Sequence, residues 1–327
     1  MRYLKHILKA VFSLSLLIYL VYEAEPQKII QVFGNVDLAE VFWFIAGAFF
    51  CIVLWLVFMT IRWKVLLNGY NYQVSFGRLI SFYLMGMFFN NFLPTSIGGD
   101  VFRIYKIVEE TGDRTTGFAS VIIERMLGIA ATLILAVLAL FMISQQFHST
   151  RLMYISVILL LLIMAFFFIM VRNRPFKLFL RIFEKLSFFR IGERFNKLFE
   201  AIHYFKKRRR ILLYVLLYSI LSQVSVVFMN YFLVKTFSLN VDLSYLFVVV
   251  PVTFLLTILP SINGVGVRDF GFVNLLSRVG VTNAAALSLS FMNLIMPMLI
   301  SVIGAVLFIT EKRKTNSGEL NAFESSL

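Results

Sequence analysis

Charge is scarce in this chain. Only 15% of its 327 residues are Asp, Glu, Lys or Arg and 60% are apolar, whereas soluble domains run nearer a quarter charged and half apolar. A soluble enzyme is thereby excluded. Cys51 is the single cysteine, so an intrachain disulfide, a CxxC metal or redox site and a haem-attachment motif are excluded too. His6, His148 and His203 are too far apart for HExxH or HxxxH spacing, which argues against a metal centre. No Walker loop is present, so ATP is not hydrolysed here and no cofactor is expected. Acidic residues number 17 against 31 Lys+Arg, a net charge of +14. In a soluble protein that excess would raise nucleic acid as a partner, but no folded soluble module accompanies it.

What the chain has is long apolar runs, and with a mean hydropathy of +0.87 it reads as an all-α polytopic membrane protein. Six full crossings are predicted: Ile7 to Tyr22, Val41 to Ile61, Phe118 to Ile143, Met153 to Val171, Ile211 to Val234 and Asn283 to Ile309. The first follows Arg2, Lys5 and Lys9 as a signal peptide would. No small-x-small site follows it, so a retained anchor is expected.

Orientation follows from where Lys and Arg cluster, because short basic loops stay cytoplasmic. Arg2, Lys5 and Lys9 put the N-terminus inside, and Lys312, Arg313 and Lys314 the C-terminus. Arg62, Lys64 and Arg78 mark an inner connection, whereas Glu23 to Glu40 is mostly acidic and suits the outer side. The segment 172–210 holds thirteen basic residues against Glu184, Glu193 and Glu200, about ten of the net charges. Its apolar residues Phe179, Ile182, Phe183 and Leu186, then Phe195, Leu198, Phe199 and Ile202, fall at helical spacing. Two basic interfacial helices on the inner leaflet are predicted, or else a plain topology signal. The single membrane domain spans 1–310, followed by a polar cytoplasmic tail, 311–327, expected to be disordered from Thr315 to Leu327.

Two apolar stretches remain, Phe76 to Pro94 and Ser244 to Pro260. Counting crossings, each must return to its own side, so each is predicted to be a re-entrant hairpin, and the two enter from opposite faces. Their turns align without a gap: Leu93-Pro94-Thr95-x-x-Gly98 and Leu259-Pro260-Ser261-x-x-Gly264. An inverted repeat is expected, relating Val41 to Ile143 with Ile211 to Ile309, and such repeats seat substrate where their broken helices meet.

Proline ends each helix, and the glycines Gly98, Gly99, Gly264 and Gly266 let backbone approach a ligand. Helices restarting there aim free N–H groups at an anion, with Arg103 and Arg268 as bidentate partners. The plainer reading pairs Asp100 with Arg103, and Asp269 with Arg268 or another Arg, merely neutralising charge. Asn90, Asn91 and Asn263 either bind lipid phosphate and glycerol oxygens or cap the broken helices. Glu124 and Arg125 either reach Arg103 or Asp100 across the bundle or snorkel at the interface. These charged residues are expected to border one polar cavity. Ser222, Gln223 and Asn230 are expected mainly to bond between helices.

Three motifs occur in order: Asn91-Phe92-Leu93-Pro94-Thr95-x-x-Gly98-Gly99-Asp100-x-x-Arg103, then Glu124-Arg125, then Leu259-Pro260-Ser261-x-Asn263-Gly264-x-Gly266-x-Arg268-Asp269. Together they resemble the lysylphosphatidylglycerol synthase transmembrane family, over roughly Leu4 to Thr310. The resemblance implies a flippase-like domain in a bacterial or archaeal plasma membrane. In bifunctional members this region moves aminoacylated phosphatidylglycerol, and some stand-alone relatives are linked to polyprenyl-phosphate sugar pathways. This chain ends at Leu327 without a soluble acetyltransferase-like domain, so synthase activity is not implied.

The leading expectation is a lipid flippase or scramblase whose partners are membrane lipids with anionic headgroups. The rivals are an integral-membrane transferase using Asp100, Glu124 or Asp269 as base, and a non-transporting subunit that recruits a lipid-modifying enzyme. A homo-oligomer is compatible with each.

Overall fold

A computed structural model describes residues 2–34, 36–92, 98–146, 208–257, 261 and 264–324, with 150, 154, 157, 158 and 161. Among these residues the chain is helical, without strands. The helices are α1 (Arg2–Glu23), α2 (Pro26–Gly34), α3 (Leu38–Gly69), α4 (Phe76–Phe92) and α5 (Gly98–Thr111), then α6 (Arg114–Gln146), α7 (Arg209–Thr236), α8 (Leu243–Leu256), α9 (Val267–Ser277) and α10 (Asn283–Glu324).

Among the described residues four stretches are long and apolar enough to cross a membrane: Ala39–Gly69 in α3, Arg114–Met142 in α6, Arg210–Thr236 in α7 and Asn283–Glu311 in α10. They coincide with the second, third, fifth and sixth expected spans. The first lies on α1, whose shorter apolar part is Val11–Glu23. Met153 to Val171 falls almost wholly outside the described residues, as do the basic stretch 172–207 and, in the hairpin turns, 93–97, 258–260 and 262–263. Large apolar side chains such as Trp43, Leu213 and Ile303 are exposed on the long helices, as lipid-facing positions require.

Between the long helices lie two pairs of short ones. At 1.5 Å per residue the 17 residues of α4 and 14 of α5 rise about 25 and 21 Å. The 14 residues of α8 and 11 of α9 rise about 21 and 17 Å. All four fall short of the ~30 Å hydrocarbon core. Within each pair the helices pack together, α4 on α5 and α8 on α9, and α5 then meets α6 as α9 meets α10. Each pair also leans on the opposite half, with α4 against α10 and α8 against α6, while α3 and α7 pack along each other. The order long, short, short, long thus occurs twice, with matching contacts.

Three local differences from the sequence expectation have physical causes. The helix beginning near Val41 continues past Ile61 to Gly69, because Arg62 is buried inside the protein instead of marking the interface. The acidic connection after Glu23 contains α2, which starts at Pro26, a residue suited to a first helical turn. The tail read as disordered continues α10 to Glu324. Residues 311–324 hold no proline, and extending an existing helix is far easier than nucleating one.

Candidate functional site

Glu124 sits at the centre of a charged cluster built by four helices. It is the eleventh residue of α6 (114 to 124), where the helix faces α3 and α5, and it is 1% exposed. Its Oε1 accepts from Arg62 Nη2 of α3 at 2.5 Å and also from the Tyr83 hydroxyl of α4. Its Oε2 accepts from Arg103 Nη2 of α5 at 2.5 Å. Arg62 Nη1 donates to Ser219 Oγ of α7 at 3.0 Å, tying the cluster to the other half.

Arg103 lodges in the corner of two rings. Trp63 and Tyr83 meet edge to face at 88°, and the guanidinium carbon lies 4.2 Å from the first centroid and 3.7 Å from the second. Such stacking suits a planar guanidinium removed from water. Trp63 is itself fixed by donating to Ser120 Oγ at 3.1 Å. Asp100 lies nearby, 2.6 Å from Arg125 Nη2 and 3.7 Å from Arg103 Nη1. Three guanidinium groups therefore face two carboxylates, leaving one positive charge in excess. The Nε atoms of Arg62 and Arg103 are buried and without a hydrogen-bond partner.

The α4–α5 pair is closely built around this cluster. Gly99 N donates to Asn90 Oδ1 at 2.8 Å, which caps the start of α5. A Cβ at Gly99 would lie 2.0 Å from the carbonyl oxygen of Gly86, so only glycine permits this approach.

The second cluster is more local. Asp269, in the first turn of α9, accepts from Gly266 N at 2.8 Å and from Ser290 Oγ of α10 at 2.5 Å. Arg268 Nη2 donates to Asp269 Oδ1 at 3.0 Å, and the buried Arg268 Nε has no partner. Gly264 and Gly266 carry φ of +79° and +82°, angles that a side chain would strain. Nearby, the amides of Asn230 on α7 and Asn293 on α10 bond reciprocally at 3.0 and 2.7 Å.

Each cluster borders a cavity of about 180 Å³. The first cavity is lined by Arg62, Asp100, Arg103, Glu124 and Arg125, with Asn90 and Gly86. The second meets Arg268 and Asn293. Trp55, Gln223 and Phe254 line both. The charged residues expected around one cavity thus divide between two adjoining ones, and Asp269 lines neither, because its oxygens are taken up by Gly266, Ser290 and Arg268. Asn91 turns away and donates to Ser301 of α10 at 3.0 Å. Gly98 begins α5. Pro94, Thr95, Pro260 and Asn263 lie outside the described residues.

Arg62, Trp63 and Tyr83 belong to the cluster and were not expected there. The available signal was weak: Arg62-Trp63 follows an apolar run directly, the usual place for an interfacial anchor. Glu124 and Arg125, by contrast, both reach across, one to Arg103 and the other to Asp100. Of the three α7 residues, Asn230 bonds between helices, Ser222 bonds the carbonyl of Ser219 in its own helix, and Gln223 does neither.

These features define an integral, multi-pass helical membrane protein with buried ionic clusters beside its short helices. The chain belongs to the family of the lysylphosphatidylglycerol synthase TM region, whose profile matches residues 6–304. It is similar to UPF0104 membrane protein PH1989 of Pyrococcus horikoshii, with 25% identity covering 95% of this chain and 98% of the relative. It is also similar to UPF0104 membrane protein MJ1595 of Methanocaldococcus jannaschii, with 23% identity and 94% of each chain covered.

Proposed function

We propose that this protein moves a lipid with an anionic headgroup, a phospholipid or a polyprenyl-phosphate-linked lipid, between leaflets as a flippase or scramblase. The observation that carries this reading is the unbalanced first cluster. Three guanidiniums facing two carboxylates, with two buried Nε–H groups unpartnered, form a site that an anion would complete. Buried charge is costly within a membrane and tends to mark a pathway. The two long-short-short-long halves support an inverted repeat with re-entrant hairpins, an architecture that places substrate between its broken helices. The bound residues would be those of the two clusters, with the acyl chains remaining in lipid.

A transferase is disfavoured by the same geometry. Both oxygens of Glu124 are held by arginines, and Asp100 and Asp269 are likewise paired with cations. Carboxylate oxygens so occupied are poorly placed to reach a substrate proton.

In this reading the membrane is the plasma membrane and both termini are cytoplasmic. The test is reconstitution into phosphatidylcholine vesicles carrying fluorescent phosphatidylglycerol in both leaflets. Dithionite quenches only the outer leaflet unless the protein exchanges the two. Complete quenching with protein, and half without, is the expected result, whereas identical traces would remove the proposal. Single-cysteine labelling on a Cys51→Ser background tests the topology, which fails if positions 103 and 235 are reached from the same side.

A further inference from the structure

Gln223 stands on α7 in the partition between the two cavities, and its surroundings are unusual for a polar side chain. It is 8% exposed, yet among the described residues its amide has no hydrogen-bond partner. Neighbouring polar residues of the same helix all have one: Ser219 and Ser225 bond carbonyls one turn back, and Asn230 bonds Asn293. The amide is not among the fully buried polar atoms that lack a partner, so its open face lies toward the cavities that Gln223 lines. Its position offers a reason to keep it. Three residues line both cavities, and of these Trp55 and Phe254 contribute aromatic surface while Gln223 contributes a primary amide.

We propose that Gln223 is a headgroup-binding residue shared by the two cavities, which hands an anionic lipid headgroup from the Arg62–Arg103 side to the Arg268 side. This rests on the transport reading above. The chemistry fits a transfer point better than a holding point. The amide N–H donates to a phosphate oxygen and the amide oxygen accepts from a headgroup hydroxyl or ammonium. An arginine at this place would add a third strong cationic seat and retain the anion, and a carboxylate would repel it. A neutral amide lowers the barrier between two cationic seats without creating another well. The aromatic pair beside it keeps the passage narrow, so the headgroup meets the amide as it passes.

The experiment compares wild type with Gln223→Leu and Gln223→Glu in phosphatidylcholine vesicles containing fluorescent phosphatidylglycerol or fluorescent phosphatidylcholine. Gln223→Leu is expected to slow exchange of both lipids about tenfold, the effect of losing one good hydrogen bond at the barrier. Gln223→Glu should slow phosphatidylglycerol more than phosphatidylcholine, through repulsion of the net negative headgroup. Thermal unfolding of the lipid-free proteins in neutral detergent separates binding from folding. Because the amide is unpartnered, Gln223→Leu should unfold at the same or a higher temperature than wild type, whereas a purely structural glutamine would give a lower one. Wild-type exchange rates in Gln223→Leu, or a lowered unfolding temperature, would overturn the inference. If wild type itself exchanges no lipid, the transport reading falls and dioctanoyl phosphatidylglycerol decides the binding role. Stabilisation of wild type and not of Gln223→Leu upholds Gln223 as a ligand, and equal stabilisation, or none in either protein, removes it.

Discussion

The two halves of the protein use different chemistry at corresponding places. In the first half, α6 is capped by Asp113, whose carboxylate accepts from the backbone N–H groups of Thr115 at 2.8 Å and Thr116 at 3.2 Å. In the second, α10 is capped by the hydroxyl of Thr282, which accepts from Ala285 N at 3.3 Å. Eleven residues into α6 stands Glu124 and eleven into α10 (283 to 293) stands Asn293, each bonded to the first long helix of its own half, Arg62 of α3 or Asn230 of α7. The first half therefore links its helices by charge and the second by neutral amides. Where the second half does carry charge, Arg268 and Asp269 are neighbours on one helix. Charges that bridge helices hold the bundle together and resist removal. That pair meets α10 at Ser290, whose hydroxyl donates to Asp269 and whose carbonyl accepts from Arg268 at 3.4 Å, but no second arginine depends on its carboxylate, which leaves Arg268 freer to serve a ligand.

The largest effect that tests this contrast is Glu124→Ala. It leaves Arg62 and Arg103 buried together with their shared carboxylate gone, a loss of about 3–5 kcal/mol for one partner of a buried ionic group. Thermal unfolding in detergent should fall steeply, and an unchanged midpoint would show that the cluster is not structural. Arg268→Ala should destabilise less, because Asp269 keeps its bonds from Gly266 N and Ser290 Oγ, while slowing lipid exchange about tenfold or more. Arg268→Lys should restore only part of the rate, because an ammonium lacks the bidentate fork. If Arg268→Ala instead unfolds as early as Glu124→Ala, the proposed freedom of the second pair is wrong.

The caps give a third, smaller effect. The Thr116 hydroxyl, 2.6 Å away, and the two N–H groups hold the Asp113 carboxyl below its ordinary value of about 3.9. A depressed folded-state pKa means that this stabilisation is complete above the unfolded value and is lost as pH falls through the folded one. Asp113→Ala should cost about 1 kcal/mol at neutral pH and flatten the acid limb of unfolding below about pH 4. Thr282→Ala should leave that limb unchanged, and equal acid sensitivity in both variants would erase the distinction. The smallest effect is Asn293→Leu, at about 0.6 kcal/mol, typical of a polar contact between membrane helices. A loss as large as that of Glu124→Ala would make the halves energetically alike.

Much of the architecture was legible because two signals coincide in this sequence: apolar runs of spanning length, and proline and glycine interrupting two of them. Arg103, Glu124 and Arg125 were legible because a charge inside an apolar stretch must find a partner. Arg62 was not, because a basic residue at the end of an apolar run has the same composition whether it faces water or the interior. Only the eight further residues of α3, ending at Gly69, make it internal, and helix ends are the feature that local sequence defines least well. The role of Asn90 depends on the separation of α4 and α5, which no local pattern encodes. The partition formed by Trp55, Gln223 and Phe254 brings α3 against α7 and α8, which lie far along the chain from it.

The corner in which Arg103 lies has a consequence for how any cargo must travel. With Trp63 and Tyr83 against its guanidinium and Glu124 gripping one end, this arginine has no arc through which to swing. It is a fixed station and not an oar. A lipid that stops there has to arrive by its own tumbling or be brought by a shift of whole helices, and the rate of passage would then follow the fluidity of the surrounding bilayer more closely than the pace of any side-chain rotation.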